Sequence, residues 1–152
     1  MSGRWEVFHA DGSRKTQTDY QNGIKHGTET LYDENGSIYQ KAGYKEGVIN
    51  GLWERYVDGI LVEKGTYIEG KKDGLWVFYA QNGYKQREQE FKQGKPNGKW
   101  VEYFSANKKS AEGEYADGQK TGTWKNYDKK GNVITETVFK NGKKIKEEIK
   151  KK

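Results

Sequence analysis

Short apolar and aromatic runs alternate along the whole chain with polar turns that contain glycine. The segment GLWVFY, residues 74–79, is rich in aromatic and β-branched residues, which is typical of a strand. The turn Asn82-Gly83 follows, and residues 85–91, KQREQEF, alternate as a half-exposed return strand does. No window in residues 1–139 holds the i, i+3, i+4, i+7 apolar stripe of a helix. The pattern therefore predicts consecutive β-hairpins.

The clearest periodic signal is a glycine followed two residues later by tryptophan. The leading glycines are Gly3, Gly27, Gly51, Gly74, Gly98 and Gly122, at steps of 24, 24, 23, 24 and 24 residues. The tryptophan positions that follow them are Trp5, Glu29, Trp53, Trp76, Trp100 and Trp124. Only the second unit departs from tryptophan, and Glu29 stands there. Self-similarity at this period is the signature of a repeat array.

Two further aromatic columns and two turn positions repeat with the same period. The second aromatic is Phe8, Tyr32, Tyr56, Tyr79, Tyr103 or Tyr127, and the third is Tyr20, Tyr44, Tyr67, Phe91, Tyr115 or Phe139. Between them lies a turn such as Asn82-Gly83, for which a two-residue hairpin turn is expected because such pairs readily adopt positive φ. A glycine such as Gly94 then turns the chain into the next hairpin.

These columns predict an all-β fold of six tandem hairpins with about twelve strands. One unit buries too little apolar surface to fold alone, so neighbouring units must stack in a single solenoid-like domain. We place this domain at residues 1–142, with units starting near residues 3, 27, 51, 74, 98 and 122, and a lysine-rich tail at residues 143–152. The end of the chain, residues 140–152, is expected to form a last strand followed by a helical or frayed end, since Ile145 and Ile149 are one helical turn apart.

Composition and charge narrow the function classes. Leu, Ile, Val and Phe total only 25 of 152 residues, but aromatics make up 14 %, which disordered chains lack. The absence of cysteine excludes disulfides and thiolate sites. Of the net charge of +6, residues 140–152 carry +5 (seven lysines, two glutamates), so the repeats are nearly neutral and nucleic acid is disfavoured as a partner. Without a leader or an apolar span, a cytoplasmic location is expected.

No set of side chains predicts catalysis, a cofactor or a metal site. His9 and His26 are expected to be exposed turn residues, without a cluster of acidic ligands around them. The acidic residues Glu88, Glu90 and Glu112 lie among lysines and arginine, and cross-strand ion pairs on a solvated face are the simpler explanation. We therefore expect a protein that is not an enzyme.

Two features are candidates for binding. The tryptophans Trp53, Trp76, Trp100 and Trp124 should line one face of the sheet, either as its thin core or as an exposed groove that anchors a protein segment or stacks sugar rings. The tail lysines are the candidate contact with an anionic phospholipid surface, or else a solubilising end that protects the last strand edge. These lysines are Lys143, Lys144, Lys146, Lys150, Lys151 and Lys152.

The pattern G-x-W-x-x-Y…N-G, followed by the glycine after the third aromatic and present here as GLWVFYAQNG…EFKQG, resembles the MORN-repeat family. It is most similar to the bacterial variant of that repeat, found in antitoxin-like proteins. The resemblance implies an elongated, twisted antiparallel sheet of consecutive hairpins. It also implies that such modules bind partners without catalysing reactions, and some members have been linked to membranes. It leads to the hypothesis of a non-enzymatic scaffold for a protein partner, with an antitoxin or immunity-type role. Peripheral phospholipid binding and glycan binding are the alternatives, and the chain is expected as a monomer or an edge-paired homodimer.

Overall fold

The computed structural model describes residues 1–150 and contains strands throughout, with no helix in that range, so no helix there spans a membrane. The all-β prediction is confirmed, with thirteen strands where about twelve were expected. Their bounds are β1 Gly3–Phe8, β2 Arg14–Gln21, β3 Ile24–Tyr32, β4 Ile38–Lys45, β5 Val48–Val57, β6 Ile60–Ile68, β7 Lys71–Tyr79, β8 Lys85–Lys92, β9 Lys95–Ser105, β10 Lys108–Ala116, β11 Gln119–Tyr127, β12 Val133–Lys140 and β13 Lys143–Ile149.

The chain divides into two compact units, unit 1 at Met1–Lys72 and unit 2 at Asp73–Lys152. In unit 1, strands β1 to β6 pair antiparallel in chain order. In unit 2, strands β7 to β13 do the same. Within each unit, every strand therefore pairs with its neighbours in the sequence, which is the connectivity of a hairpin array.

At one end of the hairpins the chain turns in two residues that both have positive φ. The pairs are Asn22-Gly23, Glu46-Gly47, Glu69-Gly70, Gln93-Gly94, Asp117-Gly118 and Asn141-Gly142, with φ of 49–52° at the first residue and 79–84° at the glycine. Two consecutive positive φ angles define the type I′ turn, whose twist matches that of the flanking strands. The glycine after each third aromatic is thus the second residue of a tight hairpin turn.

At the other end, the prediction of two-residue turns is wrong in four of the six hairpins. Residues 9–13, 33–37, 80–84 and 128–132 form five-residue loops instead. In the loop at residues 33–37, Asp33 N donates to Ser37 O at 2.8 Å and Gly36 N donates to Asp33 O at 3.0 Å. The Asp33 carboxylate also accepts from the backbone of Asn35 and Ser37, so the side chain supports the longer loop. At this end of the hairpins, only Asp58-Gly59 and Ala106-Asn107 connect their strands in two residues.

Four leading glycines of the G-x-W pattern lie beside an irregularity of the strand pairing, namely Gly27, Gly51, Gly98 and Gly122. Gly27 has φ of 115°, and the register between β2 and β3 shifts between Thr18 and Tyr20 beside it. The Asp19 carboxylate accepts from Thr28 N at 3.1 Å, and the Asp19 β-carbon lies 2.8 Å from where a β-carbon on Gly27 would stand. Because both the φ angle and the space exclude a side chain, glycine is required there.

Strand alternation places the aromatic columns on opposite faces. Trp76 contacts Phe91 and Trp124 contacts Phe139, so the tryptophans and third aromatics share one face, here called the tryptophan face. The second aromatics lie three residues after the tryptophans and therefore point to the opposite face, here called the tyrosine face. Consistent with this, Tyr56 donates to Glu54, two residues away on the same strand, at 2.6 Å.

The end of the chain forms a strand, β13, which pairs antiparallel with β12. The helical turn that the spacing of Ile145 and Ile149 indicated is wrong, because both residues lie in this strand. Residues 143–149, set apart above as the first part of a tail, are therefore part of the sheet. Lys151 and Lys152 lie outside the described residues.

A buried ion pair replaces tryptophan in the second hairpin. Glu29 lies opposite Thr18 and is buried, and its carboxylate accepts from Lys25 Nζ at 2.6 Å and from the Thr18 hydroxyl at 3.2 Å. In β13, Glu147 lies opposite Thr137 and makes the corresponding weaker contacts with Lys144 at 3.5 Å and Thr137 at 3.4 Å. A buried carboxylate is tolerated because its charge is paired and hydrogen-bonded.

Candidate functional site: the tyrosine face of unit 2

The predicted tryptophan ladder lies on one face within unit 2 and is mostly internal. Trp76 lies opposite Gln89, which lies opposite Trp100, so the two indoles occupy one row of the sheet. Trp76 is 0 % exposed and Trp124 is 7 % exposed, whereas Trp100 is half-buried. Trp53, in unit 1, is also half-buried and packs edge-on against Tyr67 at 6.3 Å between centroids. Trp76 and Trp124 are therefore core side chains of the folded chain.

Trp124 packs against its neighbours in a well-defined position. Its ring centroid lies 5.1 Å from that of Trp100 and 5.2 Å from that of Tyr115, and its Nε1 donates to Glu114 O at 3.2 Å. The indole covers Gly113 on β10, where a β-carbon would overlap the ring. The close approach of ring and backbone thus depends on glycine at this position.

The tyrosine face of unit 2 carries an open groove with a volume of about 620 Å³. Leu75 and Val101 supply apolar side chains to it, and Leu75 is 49 % exposed. Its lining also carries four carboxylates and three ammonium groups, from Glu88, Glu90, Glu112, Glu114, Lys99, Lys109 and Lys125. The groove therefore combines apolar side chains with charges of both signs.

Several charges of this groove are already engaged with one another. Tyr103 donates its hydroxyl to Glu88 at 2.6 Å, and Lys85 lies 3.5 Å from the same carboxylate. Lys109 forms an ion pair with Glu112 at 2.6 Å. Burial favours the neutral form of Glu112, but the hydrogen bond and charge of Lys109 outweigh it and lower the pKa of this carboxyl. Glu88 and Glu112 thus form ion pairs on an accessible face, as predicted. The prediction that these pairs are cross-strand is wrong, because each joins two residues of one strand.

The phenol of Tyr103 is expected to ionise at a higher pH than an ordinary tyrosine. Burial, the hydrogen bond to Glu88 and the negative charge of Glu88 together raise the pKa of Tyr103 to about 12 from an ordinary value of 10.0. The contribution of this group to stability is therefore complete below pH 10 and is lost as the pH rises toward 12. We expect Glu88→Gln to lower the Tyr103 pKa part of the way toward 10.0, because burial remains, as measured by phenolate absorbance across an alkaline titration.

The matched control for that titration is Glu90→Gln, which removes the same charge from the same groove. Glu90 accepts from Lys99 N rather than from a tyrosine hydroxyl, so this variant should leave the raised pKa of Tyr103 unchanged. A Glu88→Gln variant whose titration overlays that of the unmodified chain would contradict the assignment of the shift to Glu88.

The structure also places the other residues considered as candidates. Within residues 1–150 no three His, Asp or Glu side chains are grouped to hold a metal ion. His26 Nδ1 accepts from Glu46 N at 3.3 Å, beside the next tight turn. Of the described tail lysines, Lys144 pairs with Glu147 and Lys150 with Glu148 at 3.2 Å. The lysines at this end of the chain are thus partly neutralised by neighbouring carboxylates.

Comparison with known families supports the repeat assignment. Two segments of the chain match the MORN repeat variant. They are residues 25–46, which cover most of β3 and β4, and residues 120–141, which cover most of β11 and β12. Each matched segment has a five-residue loop in its middle and ends at the first residue of a type I′ turn. The other hairpins share the aromatic and glycine columns in sequence, although the family profile does not extend over them.

Other comparisons add little to the MORN match. No curated protein matches the chain in sequence. Among solved structures, the crystal structure of TarM is similar at 12 % identity and a TM-score of 0.34, over 95 % of this chain and 21 % of that one. The chain thus spans about a fifth of that structure, and a similarity at this level carries no argument about function.

Proposed function

We propose that this chain is a non-enzymatic scaffold that binds a protein partner through the tyrosine face of unit 2. MORN repeats suggest a repeat scaffold for binding, and two segments of the chain match that repeat. The observation that carries the proposal is the open groove of about 620 Å³, whose lining combines the apolar side chains of Leu75 and Val101 with charged side chains. Protein interfaces combine apolar contacts with polar and charged groups in this way.

The tryptophan face supports partner binding less well. Trp76 and Trp124 are buried by their own neighbours, so they have no surface to offer. Hot-spot residues contribute to binding when a partner desolvates them, and these two are desolvated by folding. Trp53 and Trp100, which are half-buried, are the members of the predicted ladder that retain accessible surface.

The alternatives have weaker support from the same observations. Glycan binding requires exposed rings on which sugars stack, and the buried tryptophans do not provide them. Phospholipid binding through the end of the chain is opposed by the pairs Lys144–Glu147 and Lys150–Glu148, which reduce the positive charge available there. The narrower role of a bacterial antitoxin or immunity-type component rests on the family resemblance alone.

A displayed peptide library selected against the whole chain tests the proposal. Binding of the selected peptides is then measured by calorimetry against Leu75→Glu and Leu52→Glu. Both leucines follow the leading glycine of a hairpin and are similarly exposed, at 49 % and 55 %, but only Leu75 lines the groove. We expect Leu75→Glu to weaken binding by at least about tenfold, because it replaces an apolar side chain of the groove lining by a charged one. Equal effects of both variants, or none, would refute this docking surface.

A further inference from the structure

A second cleft lies on unit 2, at the end of the hairpins where the five-residue loops are. It has a volume of about 610 Å³ and is formed by the start of β10 and the loop between β11 and β12. Four lysines line it, Lys108, Lys109, Lys129 and Lys130, together with Tyr127. We call this site the lysine cleft.

The positive charge of the lysine cleft is largely uncompensated. Lys109 pairs with Glu112, but Lys108, Lys129 and Lys130 form no ion pair within residues 1–150. The one acidic residue of the lining is Asp128, whose carboxylate accepts from the backbone of Lys130 and Asn132 at 2.9 Å each. The Asp128 carboxylate is thus engaged in hydrogen bonds within its own loop. The accessible side of the cleft is therefore dominated by ammonium groups.

The fold does not require these lysines. The loop at residues 33–37 has the same length as the loop at residues 128–132, and Asp33 accepts from Asn35 N and Ser37 N at the same 2.9 Å. In that loop Glu34 and Asn35 occupy the positions of Lys129 and Lys130. Since a loop with the same backbone bonds forms with a negative and a neutral residue, its shape does not depend on the two lysines.

The lysine cleft is continuous with the groove described above. Lys109 lines both, with its ammonium group on Glu112. A chain segment that lies in the groove can therefore extend past Lys109 into the cleft. The Tyr127 ring offers an apolar surface beside the three unpaired lysines. Complementary charge at such a position speeds association and selects among partners.

From this geometry we propose that the lysine cleft receives an acidic segment, rich in aspartate or glutamate, of the protein partner. The inference rests on the proposed function and specifies the chemistry of the partner. The groove supplies the apolar contacts, and the cleft recognises carboxylates in an orientation that places the acidic segment toward the loop end of the hairpins. Because the lysines are exposed, the interaction weakens as salt is added.

The test uses the whole chain and two synthetic peptides, one alternating glutamate with glycine and the other with glutamine in place of each glutamate. Binding is followed at low ionic strength by backbone amide chemical shifts. We expect the glutamate peptide alone to shift resonances of residues 107–109 and 127–131. The triple variant Lys108→Gln/Lys129→Gln/Lys130→Gln should weaken its binding by about tenfold, as expected for three exposed charge contacts.

The matched control is Lys92→Gln/Lys95→Gln/Lys140→Gln, which removes the same charge at the opposite ends of hairpins of the same unit. It should bind the glutamate peptide as the unmodified chain does. A second variant, Lys129→Glu/Lys130→Asn, introduces the residues that stand at positions 34 and 35 of the loop at residues 33–37, so it is expected to preserve the loop fold. It should weaken binding at least as strongly as the triple variant.

Three outcomes would overturn the inference. One is equal loss in the control variant, which would indicate a response to net charge. Another is equal binding of the glutamine peptide. The third is binding to vesicles containing an anionic phospholipid, abolished by the triple variant, without binding to the glutamate peptide. The two proposals can also be separated with the library peptides. If their binding depends on Leu75 but is unchanged in the triple variant, the groove proposal stands and the proposed role of the lysine cleft is refuted.

Discussion

Replacing Trp76 by alanine is expected to lower the free energy of unfolding by about 3–5 kcal/mol. Trp76 is 0 % exposed, and its ring packs edge-on against Phe91 with 6.1 Å between centroids. Alanine removes nearly all of that buried surface and leaves a cavity that a sheet constrained by its strand pairing cannot close. A chain with few aliphatic residues has little other apolar surface to make up the loss.

The control for this change is Trp5→Ala, which alters the same column of the repeat at the other extreme of exposure. Trp5 is 51 % exposed, so its removal should cost less than half as much. Both variants are compared with the unmodified chain by urea denaturation followed by circular dichroism. Equal losses for the two would mean that the tryptophan column has no buried centre at Trp76.

Replacing Gly113 by alanine is expected to lower the free energy of unfolding by about 1–3 kcal/mol through overpacking. The added β-carbon would overlap the six-membered part of the Trp124 indole, which is rigid and cannot bend away. That ring also contacts Trp100 and Tyr115, and its Nε1 is bonded to Glu114 O, so it cannot shift without losing these contacts. Gly113 lacks a positive φ, so backbone strain does not contribute to the loss.

A double-mutant cycle separates this steric effect from other causes. If the overlap with Trp124 is responsible, Gly113→Ala should be nearly neutral in a chain that already carries Trp124→Ala. The same urea denaturation measures all four members of the cycle. An undiminished cost of Gly113→Ala in the absence of the indole would contradict the packing described here.

The period and the aromatic columns were predictable because each unit repeats the same physical problem. A thin sheet must bury its surface with large rings. Rings that lie in register in the sheet recur at a regular spacing in the sequence, as Trp53, Trp76, Trp100 and Trp124 do. The strands between the glycines follow from the same pattern, and the all-β fold was therefore predictable. The place of Gly94 at a turn was predictable for a related reason, since a tight hairpin requires positive φ there.

The five-residue loops were not predictable from the dipeptide alone. Asn35-Gly36 and Asp58-Gly59 look alike in sequence, yet the first pair lies in a five-residue loop and the second forms a two-residue turn. The Asp33 carboxylate supports the longer loop through bonds to two of its backbone groups, but it is not required, because residues 80–84 form the same loop from Ala80. Likewise, Ile145 and Ile149 are spaced as in a helix, but pairing with β12 satisfies their backbone and prevails over local spacing.

The candidate site was only partly visible in the sequence. Prediction singled out the tryptophans as a binding face and explained Glu88 and Glu112 as ion pairs, but which face remains accessible depends on packing between hairpins. In the sequence, the lysine cleft is indicated only weakly, by the adjacent lysines Lys108-Lys109 and Lys129-Lys130. Their proximity requires strands β10 to β12 in register, and their lack of carboxylate partners is a property of the folded surface.

The central claim is that Trp76 and Trp124 are core, which leaves the tyrosine face for binding. Hydrogen exchange of the five tryptophan indole N–H groups, resolved by nuclear magnetic resonance in one sample, tests it most directly. The account predicts rapid exchange at Trp5, which is exposed, and the slowest exchange at Trp76, which is buried, and at Trp124, whose Nε1 is hydrogen-bonded. Exchange at Trp76 and Trp124 as rapid as at Trp5 would contradict it.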